Sequence, residues 1–235
     1  MRAVTLLSGG MDSTTLAYDL ADEHGAENLY GISFDYGQRH RTRELHMAMI
    51  TAERLDIPHT VVDLRSLTVL LAGSALTDEV EVPEGHYSEE TMKATVVPNR
   101  NAIMLSIATG LAVSKGYDTV ACAVHAGDHP IYPDCRPDFI EALSTALRLG
   151  TEGFAPEGFR IYAPFVYLSK AEIAARGDDL NVPWEDTWSC YVGGERHCGR
   201  CGTCVERAEA FDIAGVDDPT DYIDSEFWKG AVASA

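Results

Sequence analysis

Ala3-Val4-Thr5-Leu6-Leu7-Ser8-Gly9-Gly10-Met11-Asp12-Ser13-Thr14-Thr15-Leu16 carries the architecture of this chain. Val4 to Leu7 is an uninterrupted apolar run and reads as a buried parallel strand. Met11 to Glu23 reads as a helix closed near His24-Gly25. A strand that passes through two glycines into a helix start builds an anion site. Gly9 and Gly10 lack Cβ atoms, so both are expected to let the backbone approach a ligand and to adopt positive φ. The free N–H groups of the first turn and the helix dipole then favour negative charge. Ser8, Ser13, Thr14 and Thr15 add hydroxyl donors. The stretch has neither the Lys of a Walker loop nor the GxGxxG spacing of a dinucleotide fold. The alternative reading is an ordinary tight turn.

The alternation continues downstream. Leu29–Phe34 reads as a second strand, Arg43–Leu55 as a helix and His59–Asp63 as a third strand. The pattern predicts a doubly wound parallel α/β sheet. Residues 64–96, with Gly73, Pro83, Gly85 and the charge run Asp78-Glu79-Val80-Glu81, predict no long element. They form either a flap over the site or a plain surface loop. Ala102–Ser114 reads as an apolar helix and Thr119–Val124 as the fourth strand. The polar stretch from His125 to Pro137 follows at a strand end, where ligands bind in such sheets. Phe139–Leu149 reads as a helix, Arg160–Tyr162 as a short strand, and Lys170–Ala175 as a helix capped by Ser169.

At 235 residues the chain suits one α/β domain with a modest extension. With 18 basic and 37 acidic residues, the formal charge of −19 repels a phosphate backbone and argues against a nucleic-acid partner. No apolar stretch is long enough to span a membrane and no leader is recognised, so the expected compartment is the cytoplasm. Six cysteines there point to metal or chemistry rather than disulfides. Cys190, Cys198, Cys201 and Cys204 are spaced C-x7-C-x2-C-x2-C. Four soft ligands with no open position favour structural Zn²⁺, with an iron–sulfur cluster as the rival. His197 could replace a Cys as a ligand, but is read as sitting beside the cluster or on the surface. Cys122 is read as core, and Cys135 as pocket-lining.

The run SGGMDS resembles the pyrophosphate loop of the N-type ATP pyrophosphatases. SGGMDSTT, SFDYGQRH, VPNRN, HAGDHPIYPDCRPDF, LSKAEI and TWSCYVGGERHCGRCGTCVERAEAF stand here in the order of the 7-cyano-7-deazaguanine synthase family. The resemblance covers nearly the whole chain, to about Phe211. It departs at Asn99, where the family usually has Gly. Asn tolerates the left-handed conformation better than most residues, so the turn is expected to survive.

The resemblance implies a five-stranded parallel sheet of the adenine nucleotide alpha-hydrolase type over residues 1–185. A zinc knuckle and helix over 186–235 would pack on it, in a homodimer. It implies an ATP-dependent ligase taking 7-carboxy-7-deazaguanine, ATP and free ammonia to the 7-cyano product, with Mg²⁺ and Zn²⁺ as ions. Leu7, Ser8, Gly9, Gly10, Met11, Asp12, Ser13, Thr14, Thr15 and Leu16 would form the nucleotide loop, joined by Phe34, Gln38 and Arg39. Asp12, Ser13, Arg100, Asp134 and Arg136 are the catalytic candidates. An Arg fork suits both carboxylate and phosphate, but each Arg also fits a surface ion pair. Asp134, or equally Asp128, suits a guanine edge. Tyr132 or Phe34 suits stacking, while His125 and His129 suit proton transfer or mere support. A tRNA-thiolating relative and a catalytically silent binding module are the other readings.

Overall fold

The computed structural model describes residues 1–70, 73–78, 80–87 and 92–234. Glu79 of the charge run, and residues 71, 72 and 88–91 of the expected flap, lie outside the described residues. Five parallel strands, β1 (Ala3–Leu6), β2 (Leu29–Asp35), β3 (His59–Asp63), β4 (Thr119–Ala121) and β5 (Arg160–Tyr162), form one sheet in the order β3-β2-β1-β4-β5. The order reverses at β1. Crossovers therefore leave in opposite directions from the β1–β4 edge and open a crevice beyond the strand ends there.

β1 shows why the sheet is covered on both sides. Val4 belongs to one core with Phe34, Leu105, Val120 and Ile161. Ala3 just before it and Leu7 three residues on belong to another with Leu16, Leu20, Leu29 and Ile173. Adjacent strand residues point to opposite faces, so two buried neighbours mean two buried faces. Helices α1 (Met11–His24), α2 (Arg41–Arg54), α3 (Arg100–Lys115), α4 (Pro137–Gly150) and α5 (Lys170–Asp179) supply that cover. The chain closes with α6 (Gly202–Ala214) and α7 (Phe227–Ala233).

Element boundaries differ from the sequence pattern where a side chain intervenes. β4 ends at Ala121 rather than Val124, because its neighbour β1 ends at Leu6 and the last rung is Cys122 N–H to Tyr162 O. The extended residues beyond, Cys122 to His125, become a cavity wall. α3 starts at Arg100, two residues early. The Asp134 carboxylate accepts the Asn101 N–H at 3.0 Å and satisfies a donor of the first turn. α5 is capped by Ser169 in a reciprocal box with Glu172, and runs on to Asp179.

Candidate active site and metal centre

A cavity of about 240 Å³ opens at the C-terminal ends of β1, β2 and β4, near the lower end of ligand-pocket volumes. The glycine turn forms one wall. Gly9 has φ +76°, and a Cβ there would lie 2.3 Å from Glu44 O and 2.7 Å from Ala48 N of α2. Gly10 has φ −78° and a Cβ would find 3.4 Å to Ser8 Oγ. Only Gly9 needs the left-handed region; Gly10 is extended, contrary to the expectation for both. Ser13 Oγ accepts the Ser8 N–H at 3.1 Å and stands 3.0 Å from Ser8 Oγ, which ties the turn to the helix start. No side chain caps α1, so its first-turn N–H groups remain available for an anion.

Leu7, Ser8, Gly10, Asp12 and Ser13 line the cavity, as do Phe34, Gln38 and Arg100. Gly9, Met11, Thr14, Thr15 and Leu16 do not; Met11 and Leu16 pack into cores behind the loop. Gln38 uses its amide to brace the following turn: it accepts the Tyr36 N–H and donates to Phe34 O and to the Glu44 carboxylate. Arg39 is exposed and donates to Val80 O. Arg136 is exposed and donates to His129 O. Asp134 caps α3. None of these three lines the cavity, whereas Asp128, His125, Tyr132, Cys122 and Cys135 do. His129 stays outside.

Two groups of charged and polar side chains converge. Around the glycine turn, Lys170 Nζ lies 2.8 Å from Asp12 Oδ2, 3.2 Å from Glu206 Oε2 and 3.2 Å from His125 Nε2. His125 Nδ1 accepts the Gly127 N–H, which leaves Nε2 facing Lys170. Burial raises the Glu206 pKa, against the opposing pull of Lys170 and His125. Elsewhere in the wall, Arg100 donates to Tyr36 Oη at 3.1 Å, with Tyr132 and Tyr191 near it. Burial disfavours the guanidinium, yet these tyrosine oxygens outweigh it and hold the pKa up. Among the described residues no carboxylate is paired with Arg100 within 4 Å. Burial pushes the Glu44 carboxyl up, but His40 at 3.2 Å, the Gln38 amide and the nearby charge of Arg100 together outweigh it and hold the pKa low.

Sequence reasoning left Lys170, Glu206, Tyr36 and Tyr191 without roles. Each sits inside a family-like motif (LSKAEI, CVERAEAF, SFDYGQRH, TWSCYVGG), which was the available signal. Only the fold brings them to one cavity.

The sulfur atoms of Cys190, Cys198, Cys201 and Cys204 all lie within 4.8 Å of one another. Backbone N–H groups of Cys201 and Arg200 donate to Cys198 Sγ, and that of Cys198 to Cys190 Sγ. Gly199, at φ +76°, makes this turn possible: a Cβ there would sit 1.9 Å from Asp224 O. Four thiols aimed at one centre, with N–H donors behind them, fit a tetrahedral soft cation with no open position. His197 does not take the place of a cysteine in this group of four. It stacks on Trp188 and accepts the Ser189 N–H, and burial with Arg207 nearby depresses its pKa to about 4, so it is a neutral acceptor. Arg207 of α6 is fully buried, bonded to Asp218, Thr187 Oγ1 and Trp184 O.

A model of the family described as queuosine biosynthesis protein QueC matches residues 2–215. Proteins named 7-cyano-7-deazaguanine synthase from Brucella ovis and Brucella canis are each 56% identical over 229 residues, covering 97% of both chains. Among solved structures, NMN synthetase from Francisella tularensis aligns over 97% of this chain and 83% of its own at a TM-score of 0.50. Identity there is 14%, a likeness of fold alone. Among the described residues no helix is long and apolar enough to cross a membrane.

Proposed function

The chain belongs to the QueC family of queuosine-biosynthesis proteins, and from that premise we propose that it is an ATP-dependent ligase converting 7-carboxy-7-deazaguanine and free ammonia to the 7-cyano product. One observation carries the reading: the same cavity holds an uncapped helix start behind a glycine turn and, within reach of a ligand there, an arginine without a carboxylate partner among the described residues. The first suits phosphate, the second a carboxylate.

A carboxylate is a poor electrophile, since its charge repels a nucleophile and oxide is a poor leaving group. Attack of the carboxylate on the α-phosphorus makes a mixed anhydride. Ammonia displaces AMP to give the amide, and a second activation lets the amide oxygen leave. Ser8, Gly10, Ser13 and the α1 N–H groups bind the phosphates. Arg100 orients the acid, with Tyr132 and Phe34 against its ring. Asp134 acts at one remove, by fixing the start of α3 and hence Arg100. Arg39 and Arg136 are given no contact. Asp12 would hold Mg²⁺, which supplies charge neutralisation when bound; its Oδ1 is buried and has no partner among the described residues. The four cysteines would hold structural Zn²⁺. The Cys135 thiol is pushed well up by burial and by Asp128, and accepts an Asn101 N–H, which disfavours a sulfur-carrying role.

Incubation with 7-carboxy-7-deazaguanine, ATP, Mg²⁺ and ammonium, read by mass, is expected to yield the nitrile. Glutamine is expected not to replace ammonium, because Cys122 and Cys135, the cysteines outside the sulfur cluster, are buried with their thiols pushed up, which does not suit the activated nucleophile that glutamine hydrolysis needs. The homodimer and the cytoplasmic setting rest on the family resemblance, and sedimentation of the purified protein tests the first.

A further inference from the structure

Residues 82–87 are clasped to the sulfur knuckle and carry one side chain into the cavity. Glu84 pairs with Cys201 in an isolated antiparallel bridge, and the Gly85 N–H donates to Arg200 O at 2.9 Å. The Arg200 guanidinium grips the Glu84 carboxylate with two arms, Nε at 3.0 Å and Nη2 at 2.9 Å. Val82 packs against the cluster of Trp188, Cys190, Cys201 and Cys204. The start of α6 makes room for this segment. A Cβ on Gly202 would lie 2.7 Å from Met92 Sδ and 3.5 Å from Tyr87 Cδ2. An exposed ion pair alone is worth little, but here it acts with a backbone rung and apolar contact at the same place.

Tyr87 lines the cavity, and its Oη donates to Asp128 Oδ1 at 3.3 Å. The other carboxylate oxygen, Oδ2, accepts the His125 N–H at 3.5 Å within its own turn. Asp128 is thus steered from two sides, one local and one 41 residues away in the chain. The Tyr87 contact is long for a hydroxyl donor, so it aims the carboxylate rather than quenching it. An ionised carboxylate has about four acceptor sites, and these bonds leave about one on each oxygen. Two parallel acceptors match two parallel N–H donors. The pyrimidinone ring of a 7-deazaguanine carries such a pair, its ring N–H and its exocyclic amino group.

We propose that Asp128 is the residue that reads the paired N–H edge of the substrate's 2-aminopyrimidinone ring, and that Tyr87, carried in on a segment clasped to the knuckle, is the positioning residue that aims it. This rests on the ligase reading above. The knuckle then has a consequence for substrate choice as well as for folding, transmitted through Glu84 and Arg200.

The test uses the whole enzyme and two acids, 7-carboxy-7-deazaguanine and the analogue with hydrogen in place of the exocyclic amino group. The readout is the ratio of their kcat/KM values for nitrile formation. Wild type is expected to prefer the amino compound by about 100-fold, because the analogue leaves a carboxylate oxygen unpaired. Tyr87→Phe keeps the ring and removes the hydroxyl. It is expected to narrow the preference about tenfold through a higher KM for the amino acid substrate, with the KM for ATP and the melting temperature little changed. Asp128→Asn is expected to bring the ratio within a few-fold of one. Should that variant not fold, Asp128→Glu displaces the carboxylate by one methylene and should lose the same preference. Glu84→Lys sets two cations face to face and is expected to narrow the ratio in the direction of Tyr87→Phe. A Tyr87→Phe ratio equal to wild type overturns the positioning role, and a Glu84→Lys ratio equal to wild type overturns the clasp. An Asp128 variant that keeps the preference overturns the reading role. Nitrile formed from both acids with equal kcat/KM by wild type overturns this inference and leaves the ligase reading standing, whereas nitrile from neither removes both.

Discussion

The Ser8–Ser13 turn and the Cys190–Cys204 knuckle are both loops that run into a helix and deliver side chains to one cavity, yet they are held in opposite ways. The turn is held by main chain. Gly9 O accepts the Trp188 N–H at 2.8 Å, and the Gly9 Cα rests against the backbone of α2. The knuckle is held by side chains: four sulfurs, the Trp188 indole on Cys190 O, and buried Arg207 on Asp218. A main-chain-held turn depends on which residue lacks a Cβ. A side-chain-held knuckle depends on charge balance, which a cation completes.

The largest effect should therefore come from the knuckle. Cys198→Ser, or exhaustive chelation, is expected to remove bound zinc and melt the region around α6. Structural zinc is worth about 10–16 kcal/mol in small folded sites. Elemental analysis against circular dichroism measures both at once, and iron with visible absorbance would replace the zinc assignment by a cluster.

Next comes the ion pair behind it. Burial pushes the Asp218 carboxyl up, but Arg207, Thr220 and Tyr222 outweigh burial and hold it below the ordinary carboxylate range. Asp218→Asn leaves Arg207 buried and uncompensated, and is expected to cost about 3–5 kcal/mol in denaturant titrations at neutral pH. A depressed folded pKa gives stability that is present above the unfolded value and lost as pH falls through the folded one. The gap between wild type and variant should hence close on acidification below about pH 4. A gap that stays constant with pH would mean that packing, not charge, holds this segment.

The turn responds differently. Asp12→Ala is expected to lower turnover by about 10²–10³-fold, with only about 1 kcal/mol lost from stability, because Glu206 still pairs with Lys170. Gly9→Ala should act on the fold instead. It forces an L-residue to φ +76° and drives a methyl into Glu44 O and Ala48 N, at a cost of about 2–4 kcal/mol. If Gly9→Ala melts like wild type, α2 moves freely and the turn is not main-chain-held.

What was legible in the chain follows the same division. The strand–turn–helix unit, the spacing of the strands and the cysteine knuckle are local patterns, and they stand where composition and spacing put them. Arg207 was not legible as a core residue. Residues Gly202 to Ala208 are buried on every side of α6, so no polar face marks which charge goes inside. Lys170 and Asp12 are 158 residues apart in the chain, and their contact exists only once β5 has paired with β4 and α5 has packed on α1. Asp134 looked like a ligand-reading acid, but a carboxylate near a helix start finds backbone N–H groups first.

The smallest expected effect sits at Asn99, where the family resemblance leads us to expect glycine. Asn99 adopts φ 57° and ψ 23°, the left-handed region, at the start of α3, and its carbonyl accepts the Ile103 N–H. Its side chain makes no cap bond, so only its backbone shape matters. Glycine relieves the Cβ penalty but adds unfolded-state entropy, and the two nearly cancel. Asn99→Gly should change stability by no more than about 0.5 kcal/mol and leave turnover intact. A β-branched residue has neither the local polar group nor the tolerance of Asn, so Asn99→Val should cost about 1–2 kcal/mol. It should also raise the KM for the acid, because Arg100 is the next residue and its guanidinium direction is set by this turn. Thermal melts and KM values for the two variants together separate the claims. A KM that rises with Asn99→Gly would mean that the Asn side chain itself reads the substrate, and that the departure from Gly is functional rather than merely tolerated.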